Sequence, residues 1–382
     1  MLLKKIDLFI TKPLFSIPLF FVILFLIFQT TFTIWWYISD FLDIYLNKFY
    51  NLFDIKNTLI NSVFWWILGV IIFVPNIFIL YIFLFLLNDS WILPRISFVF
   101  DKLLKKLWLS SKSLLSISLW FWCTVGAILS TKNITNIREK IITIFILPFI
   151  SCSAKIPVFT LFISMFIPKE LQSLTFFLLI IFWLVIWLIS TYFMNLFVKK
   201  SNNDLLVSIP RYKLPSIKQI LIKIYIILKE FLFKIWILVL PISIILSLAF
   251  TYPKNVDINE TYWAKIWSYI NWIFEPIGFN QEMSLSVIWW LAWKEITVST
   301  ISSLYYIKDD NYESLKTKLL SDDSITFASI VSFLVFILLY TPCILAVVTA
   351  KNELWYKLWF LFFIYPIIVA WLISYIIYNI LK

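Results

Sequence analysis

Apolar positions gather in nine runs, at about 13–38, 59–87, 113–130, 140–166, 171–198, 228–250, 285–306, 325–349 and 355–381. Most reach the roughly 20 residues that a helix needs to cross a hydrocarbon core. Within such a core, helices satisfy their own backbone hydrogen bonds, so the pattern predicts an all-α integral membrane protein. Two runs are short or interrupted and have polar centres: 113–130 contains Cys123-Thr124, and 285–306 contains Lys294-Glu295. The run 140–166 holds Pro148, Cys152, Lys155 and Pro157 within ten residues. Proline breaks the hydrogen-bond ladder, and a lysine at membrane depth must snorkel, meet a partner or face water.

The element around Cys152 returns later in the chain. Phe145-Ile-Leu-x-Phe149-x-x-Cys152 reappears 191 residues on as Phe336-Ile-Leu-x-Tyr340-x-x-Cys343, which places two of the three cysteines at one repeated position. Lys and Arg then orient the runs. If 113–130 and 285–306 dip in and return, 20 basic residues fall inside, 9 outside and 3 (Lys155, Lys234, Lys294) at depth. The expected layout is therefore about seven full spans plus two re-entrant or broken segments, with a cytoplasmic N-terminus. It divides the chain into an N-terminal span and outer loop (1–58), a first repeat (59–166) and a linking span with a basic cytoplasmic linker (167–227). A second repeat (228–349) and a C-terminal span (350–382) follow. Each repeat opens on a span with a central proline, Pro75 (followed by Asn76) and Pro241, and an odd number of crossings makes the repeats inverted. Inverted repeats with broken helices meeting near the midplane are a transporter architecture.

Composition narrows the classes further. The chain is 62% hydrophobic and 14% charged, which leaves no room for a soluble domain of ordinary size beside the spans. The net charge of +11 lies between apolar runs and reads as a topology signal, with no nucleic-acid partner implied. Histidine is absent, so Cys/His and Ser/His catalysis are excluded and an enzyme is not expected. Three scattered cysteines make no disulfide framework. The first run is too long for a signal-peptide core and reads as a span.

Six motifs in order resemble the membrane domain of the ferrous iron transport protein B (FeoB) family, over nearly the whole chain. Leu87 to Arg95, LNDSWILPR, resembles LEDSGY-x-A-R, and Asp101 to Ser113 resembles D-R-x-M-x-x-x-G-L-H-G-K-S. Trp120 to Gly126, WFWCTVG, resembles G-F-G-C-N-V-P, and Pro148 to Pro157, PFISCSAKIP, resembles P-F-M-S-C-x-A-R-L-P. Lys294-Glu295 falls on A-K-E, and Leu339 to Cys343, LYTPC, resembles L-Y-x-P-C. All three cysteines occupy family cysteine positions. Asn88 departs from an expected Glu and Gly126 from an expected Pro. The family's usual N-terminal G domain and its phosphate loop have no counterpart here.

The resemblance implies a ferrous iron permease of two Gate-type repeats in a bacterial inner membrane, acting with a separate G protein and a small FeoA-like accessory protein. A homo-oligomer embedded in lipid is compatible with it. Fe2+ is the transported substrate, and no cofactor is bound permanently. Cys123, Cys152, Cys343 and Glu295 are the implied metal-path residues. Thiolate and carboxylate both suit this borderline cation, and metal binding to thiols displaces their protons. Lys155 and Lys294 are read as pairing with carboxylates or capping broken helix ends. Asn76, Asp89 and Arg95 are further motif positions, the last two as an ion pair or a G-protein contact. A non-transporting scaffold and a carrier of another solute, such as nucleosides, remain alternatives.

Glycine and tryptophan usage are both anomalous. Average usage would give roughly 27 glycines; the chain has 3 glycines and 20 tryptophans. Trp66, Trp91, Trp108, Trp120, Trp122, Trp236 and Trp290 stand where the family pattern has Gly. Gly-to-Trp changes at so many close-packed positions would overpack the core. We predict that these seven codons are UGA, read as glycine in the source organism. Nucleotide sequencing checks this, and UGG at most of them would end the idea.

Overall fold

The computed structural model describes residues 12–50, 58–90, 123–149, 152, 155–198, 216–234, 271–292, 325–340 and 343–382, with scattered positions between 95 and 117 and between 236 and 244. In chain order the helices of eight or more residues, together with one shorter helix that begins beside Cys123, are α1 (Pro13–Tyr50), α2 (Thr58–Asp89), α3 (Thr124–Ser130), α4 (Ile137–Ile146), α5 (Ile156–Phe166) and α6 (Lys169–Phe197). They continue with α7 (Ile217–Lys234), α8 (Gln281–Ala292), α9 (Phe327–Leu339), α10 (Ile344–Lys351) and α11 (Tyr356–Leu381). Four stretches among the described residues are long and apolar enough to cross a membrane: Leu14–Leu46, Lys169–Phe197, Phe327–Lys351 and Tyr356–Leu381. The contacts divide the chain into two compact units, one of residues 1–119, 133–139 and 200–247, the other of 120–132, 140–199 and 248–382.

In the first unit α1 packs along α2, and Trp35 Nε1 donates to the carbonyl of Ile72 at 3.1 Å. Helix α2 continues through Pro75 to Asp89, so this proline does not end the span. Neighbouring helices and local adjustment allow that in membranes. Helix α7 lies against α2 and begins at Ile217, inside the 167–227 segment that ends in the basic linker. Its lysines recur among isoleucines that turn Ile220 and Ile224 inward, and Lys223 Nζ meets Asp89 Oδ2 at 2.7 Å. Ser113 Oγ donates to Glu139 Oε1 at 2.5 Å, tying the start of the 113–130 run to the helix that follows it.

The second unit is built around α9. Within the stretch Phe327–Lys351, 81% of the most apolar 18 residues are buried, against 22% for the corresponding parts of α6 and α11. Helices α6 and α11 thus carry the lipid-facing surface, and α9 is sheathed by protein. Phe333 and Phe336 of α9 meet Phe279 edge-on, and Phe162 tilts against Phe333. Polar groups on the same helix are satisfied across helices. Ser332 Oγ donates to the Ile277 carbonyl at 2.7 Å, and Ser374 Oγ of α11 donates back to the Ser332 carbonyl at 3.2 Å. Before α8 the chain reverses at Gly278, whose φ of +81° is the left-handed conformation that costs an L side chain most. A Cβ there would also press into the Tyr378 ring. Gly278→Ala is accordingly expected to destabilise the unit by about 1–3 kcal/mol, read as a lower thermal midpoint in detergent. An unchanged midpoint would show that the turn tolerates a side chain.

Candidate functional site

Each of the three cysteines stands where a helix is interrupted. Cys123 is the N-cap of α3, with extended backbone at φ −155° and ψ 118°. Cys343 is the N-cap of α10, four residues after α9 ends at Leu339. Cys152 lies between the 3-10 turn Leu147–Phe149 that finishes α4 and the start of α5 at Ile156, with proline in the first turn of α5. The prolines explain the breaks. Pro148 deprives Ile144 of its helical donor, and Pro342 does the same for Leu338, because each stands four residues on and has no N–H.

The three thiols belong to one unit and come near one another. Cys123 lies within electrostatic reach of Cys343 and, more weakly, of Cys152, and its sulfur faces the free N–H groups of Val125 and Gly126. Helix α3 packs on α10 and on the Leu147–Phe149 turn. Among the described residues, however, no three Cys, Asp or Glu side chains are arranged to hold a metal ion together. The arrangement offers successive thiols beside helix breaks, not a closed cage.

Lys155 is 1% exposed, so it does not snorkel. Its Nζ donates to the carbonyl of Leu338 at 2.6 Å, 183 residues away. That is the carbonyl that Pro342 leaves without a helical donor. Lys155 thus reaches the C-terminal end of α9. Asp89 takes Lys223 as its ionic partner. Arg95 is buried in the first unit. The side chain of Asn76, and Lys294 and Glu295 entirely, lie outside the described residues. Of the tryptophans at family glycine positions, Trp236 is half exposed.

Sequence reasoning did not single out Glu353. It is only 5% exposed at its side chain and meets Lys140 Nζ at 2.7 Å and Lys132 Nζ at 3.5 Å. The available signal was its isolation: no other Asp or Glu occurs from Ser324 to Lys382.

Residues 70–166 match the Gate family, described as nucleoside recognition. The chain is 31% identical over 401 aligned residues to the Fe(2+) transporter FeoB of Staphylococcus aureus (strain MSSA476), covering 99% of this chain and 59% of that relative. To the Fe(2+) transporter FeoB of Campylobacter jejuni it is 28% identical, with coverages of 92% and 61%. A Porphyromonas gingivalis relative, an Fe(2+) transport protein A/Fe(2+) transporter FeoB fusion protein, is 27% identical over 99% of this chain and 51% of its own length. The chain thus spans about half to three-fifths of the curated relatives it matches. No solved structure matches.

Removing the Lys155 ammonium strands a buried carbonyl. Lys155→Met is expected to cost about 1–3 kcal/mol, whereas Lys155→Arg, which keeps a donor, should cost less. Thermal midpoints of the purified variants in detergent check the order. Equal midpoints for Met and wild type would remove the capping role.

Proposed function

We propose that this chain, an FeoB-family permease region over its matched length, carries Fe2+ across the bilayer past Cys123, Cys152 and Cys343. The observation that carries the reading is the gathering of all three thiols at helix breaks of one unit.

The chemistry follows from the breaks. A helix start presents N–H groups without intrahelical partners, and the Cys123 sulfur faces two of them. Fe2+ arriving at such a sulfur displaces its proton, and the sulfur then supplies the charge that the lost hydration shell had balanced. Passage needs binding strong enough to admit the ion and weak enough to release it. Two or three thiols without a closed cage suit that requirement better than a fourfold structural site would. Glu295 is the carboxylate of the proposed path, and Lys294 its neighbour.

The finer reading assigns energy coupling to partners. A G protein would act on this chain, and the fusion protein among the relatives supports an FeoA-like partner. The membrane is then a bacterial inner membrane with the N-terminus cytoplasmic. A scaffold without transport, or a nucleoside carrier, gains no support from the iron-transporter names of the relatives.

Serine keeps the size of cysteine but offers a harder, poorly ionised oxygen. Cys152→Ser and Cys343→Ser should each lower uptake of radioactive ferrous iron by about 10–100-fold or more at matched expression. The double variant should add little, as for groups acting as a unit. Normal uptake by the double variant would sink the thiol path.

A further inference from the structure

The three cysteine-bearing elements share one ionic junction at the ends remote from the thiols. Helix α3 runs from Cys123 to the turn Thr131–Asn133, which contains Lys132. Helix α10 runs from Cys343 to Lys351, and hydrogen bonds from Asn352 and Glu353 to Thr349 and Ala350 extend it by a turn. Helix α4 carries Lys140 in its first turn and leads toward Cys152. Glu353 joins all three, holding Lys140 at 2.7 Å and Lys132 at 3.5 Å. With a rise of about 1.5 Å per residue, α3 and α10 place the junction roughly 13–15 Å from their cysteines.

A carboxylate in that position requires partners. It is 5% exposed and sits at a helix C-terminus, where the macrodipole disfavours negative charge. Lys140, 22% exposed, is the closer and more enclosed partner, while Lys132 is 56% exposed and looser. An ion pair at a protein surface contributes little; one with an enclosed carboxylate is costly to break from one side.

We propose that Glu353 is a positioning residue that keeps Cys123, Cys152 and Cys343 in register by clamping their three helical elements together through Lys140 and Lys132. The proposal rests on reading those thiols as the cargo path. Leverage makes the clamp matter. A tilt of about 10° about the junction moves a thiol roughly 14 Å away by about 2 Å. Metal–ligand distances tolerate only about 0.2 Å. Opening the clamp therefore separates the thiols enough to release an ion, and closing it regathers them.

The test uses the full chain in membrane vesicles with Cys152→Ser, which leaves Cys123 and Cys343 as the two thiols. Iodine-driven disulfide formation between them is followed by peptide mass spectrometry. Glu353→Gln and Lys140→Met are each expected to slow cross-linking by about tenfold. Lys132→Met should slow it less, because its contact is longer and more exposed. The charge swap Lys140→Glu with Glu353→Lys should restore most of the rate. An unchanged rate in Glu353→Gln overturns the proposal. Aggregation of that variant without rescue by the swap also overturns it, assigning Glu353 to folding alone. Cross-linking does not depend on iron. If it follows the clamp while iron uptake survives loss of the thiols, the transport reading fails and the clamp stands.

Discussion

A helix that stops inside a bilayer leaves carbonyls with neither an intrahelical donor nor water, and each costs several kcal/mol if stranded. The hydrogen bond from Lys155 to Leu338 answers that constraint at the end of α9. Pro342 removes the ordinary donor, and a lysine from a distant part of the chain supplies another. One ammonium thus satisfies a broken helix and finds its own place at depth, where an unpartnered charge would be expensive. The break that exposes the carbonyl is also what sets Cys343 free of regular helix, at the start of α10.

Site and scaffold are therefore hard to separate here. Prolines interrupt α4 and the α9–α10 stretch, cysteines occupy the interruptions, and Lys155 holds one interruption to the other. Around them α9 is largely buried, while α6 and α11 carry most of the second unit's exposed apolar surface. Irregular backbone at membrane depth is tolerated only where it is buried in protein or lines a water-filled cavity.

Much of this was legible in residue order. Pro148, Cys152 and Pro157 announced a break, and the repeat of Phe-Ile-Leu…Cys located its counterpart at Cys343. The unusual 113–130 run announced Cys123, which caps a helix of seven residues. Long-range partners were not legible, because nothing local specifies them. Lys155 could snorkel, pair or cap until its distance to Leu338 was known. Glu353 looked like an ordinary loop acid, since its lysines lie over two hundred residues earlier. The start of α7 was not legible either, because Lys218 and Lys223 mark a solvated strip while Ile220 and Ile224 pack inward.

The exchange of hydrogen bonds between Ser332 and Ser374 carries a consequence for biogenesis. Ser332 is fully buried on the most apolar stretch of the chain, so α9 can partition into lipid as soon as it is made. The carbonyl and hydroxyl of Ser332 gain their α11 partner only when Ser374 arrives, eight residues from the C-terminal lysine. Trp371, three residues earlier, reaches the Ile273 carbonyl at the same stage. The polar contacts of Ser332 thus wait on a helix made after α9, and the order of synthesis makes α11 the partner that completes them.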